Sequence, residues 1–146
     1  MDRSNETEHL VIGTRHRLQL RIDERLTVPA VSSAFTGFTD MPPVFATAFM
    51  VGFIEWACIE LLRTALPPEF KTVGTHIDVS HVAPTPVGMF VAAEVELVSI
   101  KGPQLRFDVL CSDEVGTIGQ GTHERAIVDT EKFLKRVLAK KEKAGV

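Results

Sequence analysis

A carboxylate, a hydroxyl and an imidazole stand at positions where the neighbouring sequence is mostly apolar. Glu55 and Thr47 lie within the run FATAFMVGFIEWACIELL, at positions 45–62, and His81 ends the later run GTHIDVSH. An ionised carboxylate in an apolar medium is costly unless it finds a partner or serves a reaction. A hydroxyl, a carboxylate and an imidazole that titrates near neutrality can position and activate water, which suits the transfer of an acyl group to water.

Each of these three side chains also has a purely structural explanation. Glu55 has no cation at i±3 or i±4 on a helix, so it would instead bond a backbone amide or an arginine from a strand. Thr47 would cap a helix or fill the core, and His81 would be a core histidine with its hydrogen bonds satisfied. Taken one at a time, the residues leave both explanations open.

Other known chemistries fit the sequence less well. It lacks the GxSxG, HExxH and GxxxxGK[ST] patterns of nucleophilic serines, zinc sites and phosphate-binding loops. A metal site of His76, Asp78 and His81 is disfavoured, because strand alternation places His81 on the face opposite the other two. We therefore expect neither a metal site nor a cofactor.

The apolar run that holds Glu55 is predicted to form one long helix. Helix-forming residues continue from about Ala46 to Leu66, where LPPE ends the run because proline cannot continue a helix. A helix that is apolar nearly all round is buried on most sides. Thr47 and Glu55 lie about 80° apart around its axis, so both can border one side of it.

Alternating apolar residues predict strands before and after this helix. The first is HRLQLRI at positions 16–22, and an irregular segment rich in Pro, Gly, Ser and Thr follows at positions 27–44. Four further runs, separated by turn signals, are VGTHIDVSHVA, MFVAAEVELVSI, QLRFDVLCSD and GTIGQGTHERAIVD. The last segment, TEKFLKRVLAKKEKA, is predicted to be an exposed basic helix with Thr130 as its N-cap.

This order of elements predicts an α+β domain. An antiparallel sheet wraps around one long central helix, the hot-dog arrangement, and a further helix follows at the C-terminus. A chain of 146 residues suits one such domain. We assign it to residues 14–146 and expect the polar residues 1–13 to be flexible. The free edges of such a sheet commonly pair between two copies, so we expect a homodimer.

Composition and charge exclude several classes of protein. A formal net charge of −3 offers nucleic acid no electrostatic attraction. The polar start MDRSNETEHLVIG does not have the pattern of a signal peptide. The charge-free run at positions 41–54 is shorter than the roughly 18 residues of a membrane span. Cys58 and Cys111 lie in apolar runs without CxxC spacing, so we expect buried free thiols in a cytoplasmic protein.

Three segments together resemble a known family. PVFATAFMVGFIEWAC, VGTHIDVSHVAPTPVG and IGQGTHERAIVDTEKF resemble, in order and spacing, segments of the fluoroacetyl-CoA thioesterase family, small hot-dog enzymes that hydrolyse acyl-CoA thioesters. The resemblance extends from about Val44 to Lys135. It implies that this protein binds an acyl-CoA as its substrate.

The resemblance also implies roles for individual residues. The family's catalytic threonine, glutamate and histidine match Thr47 in FATAF, Glu55 in IEWAC and His81 in VSHVA. Residues that line the family's active site match Gly74, which lies ahead of that histidine, and Arg125 in THERA.

One position departs from the family pattern. The family carries a lid phenylalanine just before the proline that precedes VFAT, and here that position is Met41 in DMPPVF, with Phe38 three residues earlier. We expect both side chains to contact the acyl end of the substrate. A methionine is more flexible than an aromatic ring, so we expect less preference for fluoroacetyl over acetyl groups than an enzyme with the aromatic lid has.

The sequence thus predicts hydrolysis of a short-chain acyl-CoA to the free acid and CoA. His81 and Glu55 would activate or replace the attacking water, Thr47 would position the carbonyl or the nucleophile, and a backbone amide near Gly74 would polarise the thioester oxygen. Two other functions stay open, because one fold hosts several activities. They are a non-catalytic acyl-CoA-binding module and a hot-dog hydratase or dehydratase.

Overall fold

The computed structural model describes residues 6–146. In this part of the chain the α-helices and strands are β1 (Arg15–Arg21), α1 (Thr47–Leu62), β2 (Phe70–Val79), β3 (Phe90–Lys101), β4 (Gln104–Asp113), β5 (Thr117–Asp129) and α2 (Thr130–Lys143). The strands form one antiparallel sheet in the order β1-β3-β4-β5-β2. The predicted α+β architecture, with one central and one C-terminal helix, is confirmed.

The core lies between α1 and the concave face of the sheet. Alternate residues of β4 are buried and exposed in turn, as its period-2 pattern predicts. The side chains that fill the core come from α1, from the inner faces of β3 and β4 and from the residues just before α1; the largest fully buried ones include Phe45, Met50, Ile54, Leu97 and Phe107. Burial of this apolar surface is the main term that stabilises the fold.

Helix α1 begins where predicted and ends earlier than predicted. Ala46 is its N-cap, so Thr47 is its first helical residue and is not the cap. The helix ends at Leu62 rather than Leu66, because the two prolines at 67 and 68 disfavour helical backbone just before them and the chain tightens into turns. The sheet covers α1 on one side only, so its predicted burial on most sides is wrong at Thr47, Gly52 and Trp56, which are exposed.

Strand β2 does not show the alternation that its sequence predicts. Thr75 and Ile77 on one face are exposed, and so are His76 and Asp78 on the other. The cause is position, because β2 is an edge strand and its register with β5 shifts between Gly74 and His76. The strand also ends at Val79, so His81 lies beyond it. Strand alternation therefore does not show that His81 points away from His76 and Asp78.

The C-terminal helix α2 starts on a different cap from the one predicted. Asp129 ends β5, and its side chain accepts a hydrogen bond from the backbone N–H of Lys132 at 3.2 Å. The cap is therefore Asp129 and not Thr130, since the chain passes from strand to helix without a loop. None of the residues of α2 is buried, as predicted for an exposed helix.

The segment between β1 and α1 is less irregular than predicted. Three short 3-10 turns lie at Glu24–Leu26, Val28–Ala30 and Thr36–Phe38. Near the start of the described chain, Leu10 packs into the core and the N–H of Gly13 donates to the carbonyl of Leu97 at 2.8 Å. The predicted flexibility of residues 1–13 stays a prediction, and residues 1–5 lie outside the described part.

Two further expectations concern the thiols and the membrane. Cys58 and Cys111 are buried and free, as predicted. Among residues 6–146, no helix has both the length and the apolar character needed to cross a bilayer.

Candidate active site

Thr47 and His81 form a hydrogen-bonded pair at the start of α1. The hydroxyl oxygen Oγ1 of Thr47 lies 2.7 Å from Nδ1 of His81. Because Ala46 takes the cap position without a side-chain bond, the Thr47 hydroxyl is free of the capping role and faces the imidazole instead. The structure therefore brings together two of the three residues predicted to act in catalysis.

The segment after β2 holds His81 in place by continuing to pair with β5. The N–H of Ser80 donates to the carbonyl of Gln120 at 2.9 Å, and the N–H of Val82 donates to that of Ile118 at 2.7 Å. This close approach needs Gly119, because a Cβ there would lie 2.0 Å from the carbonyl oxygen of Ser80. A glycine in β5 thus sets the position of the histidine.

The imidazole of His81 is uncharged near neutral pH. Burial lowers the pKa of His81 below its usual value, so the ring is neutral near pH 7. Its Nε2 is buried and has no hydrogen-bond partner among residues 6–146. A buried polar nitrogen without a partner is costly and calls for a functional explanation. A substrate or water atom is the natural partner for it.

Glu55 is bound by an arginine from a strand, one of the two structural partners that its sequence allows. Nη1 of Arg125, on β5, donates to Oε2 of Glu55 at 2.7 Å. The arginine side chain is only 3% exposed, whereas that of Glu55 is 38% exposed. Thr72 on β2 holds the other edge of the guanidinium, since its hydroxyl accepts from Nε at 2.8 Å and its carbonyl accepts from Nη2 at 2.9 Å.

Gly74 lies directly over this ion pair. A Cβ at position 74 would stand 2.8 Å from Oε2 of Glu55, which is closer than real contacts allow. A side chain at position 74 would therefore displace the carboxylate or the strand. Around it lies a cleft lined by Val51, Glu55, Gly74, Thr75, His76, Ile77 and His123. The predicted site residues Glu55, Gly74 and Arg125 are thus brought together.

The two groups of residues are separated within one chain. Thr47 and Glu55 are eight residues apart on one helix, which is about 12 Å along its axis. Neither Thr47 nor His81 lines the cleft beside Glu55. A single copy therefore presents a hydroxyl–imidazole pair and a carboxylate–guanidinium pair as two distinct groups.

The predicted lid residues lie in the segment before α1. Phe38 is half-buried, and its ring packs edge to face on Phe35 with the ring centres 5.5 Å apart. Met41 is 44% exposed, and its N–H donates to the carbonyl of Phe38 at 3.2 Å. Neither lines the cleft beside Glu55, so their contact with substrate stays a prediction.

Cys58 is excluded as a nucleophile although it lies one turn of helix from Glu55. Burial raises the pKa of the Cys58 thiol to about 12, so the reactive thiolate is not formed near neutral pH. Burial also raises the pKa of the Cys111 thiol.

Within residues 6–146, no three His, Cys, Asp or Glu side chains converge into a group that could hold a metal ion.

Sequence analysis missed His123 and Thr72, which contact Arg125. His123 precedes Arg125 by two residues in THERA, and residues two apart share one face of a strand. That spacing was the available signal for His123. Thr72 had no comparable signal, because its contact with Arg125 depends on the register between β2 and β5.

Comparison with known proteins relates this site to a family. The sequence model of a family described as fluoroacetyl-CoA-specific thioesterase matches residues 27–131, a range that contains every site residue described above. A fluoroacetyl-CoA thioesterase from Streptantibioticus cattleyicolor is 40% identical over 129 residues, which are 88% of this chain and 93% of that enzyme.

Solved structures agree with the sequence comparison. A fluoroacetyl-CoA thioesterase variant in complex with acetyl-CoA matches with a TM-score of 0.87 and 38% identity, over 90% of this chain and 98% of that one. A hot-dog-like protein from Thermanaerovibrio acidaminovorans matches with a TM-score of 0.78 and 26% identity, over 96% and 97% of the two chains. The predicted hot-dog fold is confirmed, and the chain belongs to the family of fluoroacetyl-CoA-specific thioesterases.

Proposed function

We propose that this protein hydrolyses a short-chain acyl-CoA thioester to the free acid and CoA. The observation that carries the proposal is the carboxylate of Glu55, which a buried arginine fixes through one oxygen at the border of a cleft. Among residues 6–146, its other oxygen has no hydrogen-bond partner and stays available to a substrate or a water molecule. Membership of a thioesterase family supports the same reaction.

The site residues take the following roles. Glu55 and His81 activate the attacking water, or Glu55 attacks the thioester carbonyl itself, and Thr47 positions the carbonyl or the nucleophile. A backbone N–H near Gly74 donates to the carbonyl oxygen as negative charge develops there. Gly74, Arg125, Met41 and Phe38 bind the substrate, the last two through its acyl group.

The function is tested by following free thiol released from acetyl-, fluoroacetyl-, propionyl- and longer acyl-CoA thioesters. Hydrolysis releases one thiol for each acid formed. A non-catalytic acyl-CoA-binding module would bind these compounds without releasing thiol, and a hydratase or dehydratase would alter the acyl chain with the thioester intact. Absence of thiol release with all of them would contradict the proposal.

We further propose that two copies form a homodimer through β2. This strand is the last of the sheet, and its central residues are exposed, including Ile77 at 39%. An unpaired edge with an exposed apolar side chain favours pairing with another strand. Two identical strands that pair antiparallel are related by a twofold axis.

This pairing would complete the active site. A twofold axis near Ile77 would set the Gly74 end of one strand beside the His81 end of the other. Glu55 lies beneath Gly74, so it would approach Thr47 and His81 of the partner subunit. The two groups that are about 12 Å apart along α1 in one chain would then serve one substrate.

Mixed dimers test this arrangement. Neither Glu55→Gln nor His81→Ala alone should be active, but a dimer with one chain of each has one intact site if the site is shared. Random mixing by co-expression should then restore about a quarter of wild-type activity. No restoration, in a sample shown to contain mixed dimers, would place Glu55 and His81 of the same chain in each site.

The cytoplasm is the proposed location. Both cysteines are free in the described structure, and free thiols are typical of a reducing compartment. Thiol labelling of unfolded protein taken directly from cells tests this, because both cysteines should react without prior reduction.

A further inference from the structure

His123 is a buried histidine beside the proposed catalytic carboxylate. It lies on β5 and is 2% exposed. Its Nδ1 is 2.6 Å from the backbone carbonyl oxygen of His76 on the neighbouring strand. A carbonyl oxygen can only accept a hydrogen bond, so Nδ1 carries the proton and donates it.

The other ring nitrogen of His123 faces Arg125. Nη1 of the guanidinium lies 3.1 Å from Nε2 of the histidine. An arginine can only donate, so Nε2 must accept and the ring must be neutral. Burial lowers the pKa of His123 and acts in the same direction. Both hydrogen bonds therefore require the same form of the ring, with a proton on Nδ1 and none on Nε2.

The nitrogen held by His123 is the one that binds the carboxylate. Nη1 of Arg125 donates one N–H to Oε2 of Glu55 at 2.7 Å and the other to His123. Thr72 binds only Nε and Nη2, at the other edge of the guanidinium. Without an acceptor at His123, Nη1 would keep one buried N–H unpaired, and Glu55 itself would be the remaining partner of that nitrogen.

We infer that His123 is a positioning residue for the reaction: by accepting from Arg125, it fixes the guanidinium nitrogen that orients the Glu55 carboxylate. This inference rests on the proposed role of Glu55 in thioester hydrolysis. The chain of hydrogen bonds runs from the carbonyl of His76 through His123 and Arg125 to Glu55. It ties the carboxylate to the backbone of β2, the strand that passes over it at Gly74.

Two amide substitutions separate the two hydrogen bonds of the ring. His123→Gln places a carbonyl oxygen near the position of Nε2 and keeps an acceptor for Arg125. His123→Asn places an amide N–H near the position of Nδ1 and keeps only the donor to His76. We expect His123→Asn to lower kcat by about tenfold to a hundredfold with KM nearly unchanged, because a lost bond to a charged group misplaces a residue that acts in the transition state.

In contrast, His123→Gln should keep kcat within a few-fold of wild type. The matched control is His16→Gln on β1, at the opposite edge of the sheet, which should leave kcat and KM unchanged. Thermal unfolding of each variant and measurement of its folded fraction separate loss of structure from loss of rate. Equal kcat values for the Gln and Asn variants, whether both high or both low, would overturn the inference.

A measurement on the unaltered protein covers the case in which neither variant folds. Nitrogen-15 NMR of the histidine rings distinguishes the two neutral forms and the cation. We expect His123 at pH 7 to be neutral with its proton on Nδ1. A proton on Nε2, or a charged ring, would exclude an acceptor role toward Arg125 and overturn the inference.

The outcomes also separate this inference from the proposed function. If wild-type protein releases no thiol from any acyl-CoA, the proposed function fails. If wild type is active and Glu55→Gln is inactive, but His123→Asn has wild-type kcat, the proposed function stands and the positioning role of His123 is wrong.

Discussion

The two polar groups along α1 are built in different ways. Thr47 and His81 form a pair at the first turn of the helix, and the imidazole keeps one buried nitrogen without a partner in the described structure. Glu55, two turns further on, is held by a buried arginine that is itself held by Thr72 and His123. The first group has an unused hydrogen-bonding atom at its centre, whereas the second is a nearly saturated network with one free oxygen at its surface.

This difference shows how a buried charge is kept in an apolar helix. Removing one member of a buried ion pair usually leaves the other uncompensated and is costly. Arg125 is almost fully buried and needs Glu55, but Glu55 reaches the cleft and needs only one oxygen for the pair. The same contact can therefore stabilise the fold and hold a reactive carboxylate, so the structural and catalytic explanations of Glu55 do not exclude each other.

Among changes to the pair of Thr47 and His81, removal of the His81 imidazole should lower kcat most. We expect His81→Ala to lower kcat by at least about a hundredfold, because a general base typically contributes about 10²–10⁴. Steady-state thiol release and a melting curve on the same sample measure this. A kcat near that of wild type would remove His81 from the mechanism and leave the second group as the whole site.

Gly74→Ala perturbs the second group without removing any of its polar atoms. The new methyl would stand 2.8 Å from Oε2 of Glu55, so the carboxylate or the strand must move. We expect kcat to fall by about tenfold, since small displacements of catalytic groups cost at least this much.

Gly52→Ala is the matched control for this substitution. It lies on α1 with nothing within 4 Å of the added methyl, and should keep kcat and raise stability by about 0.5–1 kcal/mol. Equal kcat values for the Gly74 and Gly52 variants would show that Glu55 tolerates a shift.

Met41→Phe tests the segment before α1, where the family carries an aromatic lid. A ring fits a small acyl group more selectively than a flexible thioether, so the preference for fluoroacetyl-CoA over acetyl-CoA should rise. In an apolar pocket, discrimination between two substrates that differ by one small group is worth about 1–3 kcal/mol at most. The ratio of kcat/KM for the two thioesters measures it, and an unchanged ratio would place substrate selection outside this segment.

Lower pH should reduce the free energy of unfolding, because each of the two groups contains one histidine whose pKa is lowered by burial. In the unfolded chain these histidines bind protons below about pH 6.5, whereas the folded protein resists protonation. The unfolded state then binds more protons, so the free energy of unfolding falls as pH falls from about 6.5 to the folded-state pKa values. Urea unfolding between pH 5 and 7.5 measures this. In that range His123→Gln should reduce the slope, and an unchanged slope would contradict a buried neutral His123.

The fold was predictable because its signals are local. The alternation in β1, β3 and β4 and the prolines that follow α1 specify the main elements, and the antiparallel sheet around one helix follows from their order. The errors lie where tertiary context decides the outcome. The exposed faces of β2 depend on its place at the edge of the sheet, and the cap at Asp129 depends on β5 running directly into α2.

The sequence named the residues of the candidate site, whose roles stay predictions, but it did not predict their arrangement. The residue types and the family resemblance identified Glu55, His81 and Thr47, and the family resemblance identified Arg125. Sequence spacing around a helix suggested one shared cleft, because it measured the angle between Thr47 and Glu55 and not the distance along the axis. The links from Arg125 to Thr72 and His123 depend on strand register, which no short pattern specifies.

The most direct test of the central claim is the rate of thiol release by Glu55→Gln compared with wild type, on acetyl-CoA and fluoroacetyl-CoA. The amide keeps the shape of the side chain and an oxygen that can accept from Arg125, so the variant should fold. The account predicts a kcat at least about a hundredfold lower with a similar circular dichroism spectrum. A folded variant with wild-type kcat would show that Glu55 serves only to pair Arg125, and would contradict the account.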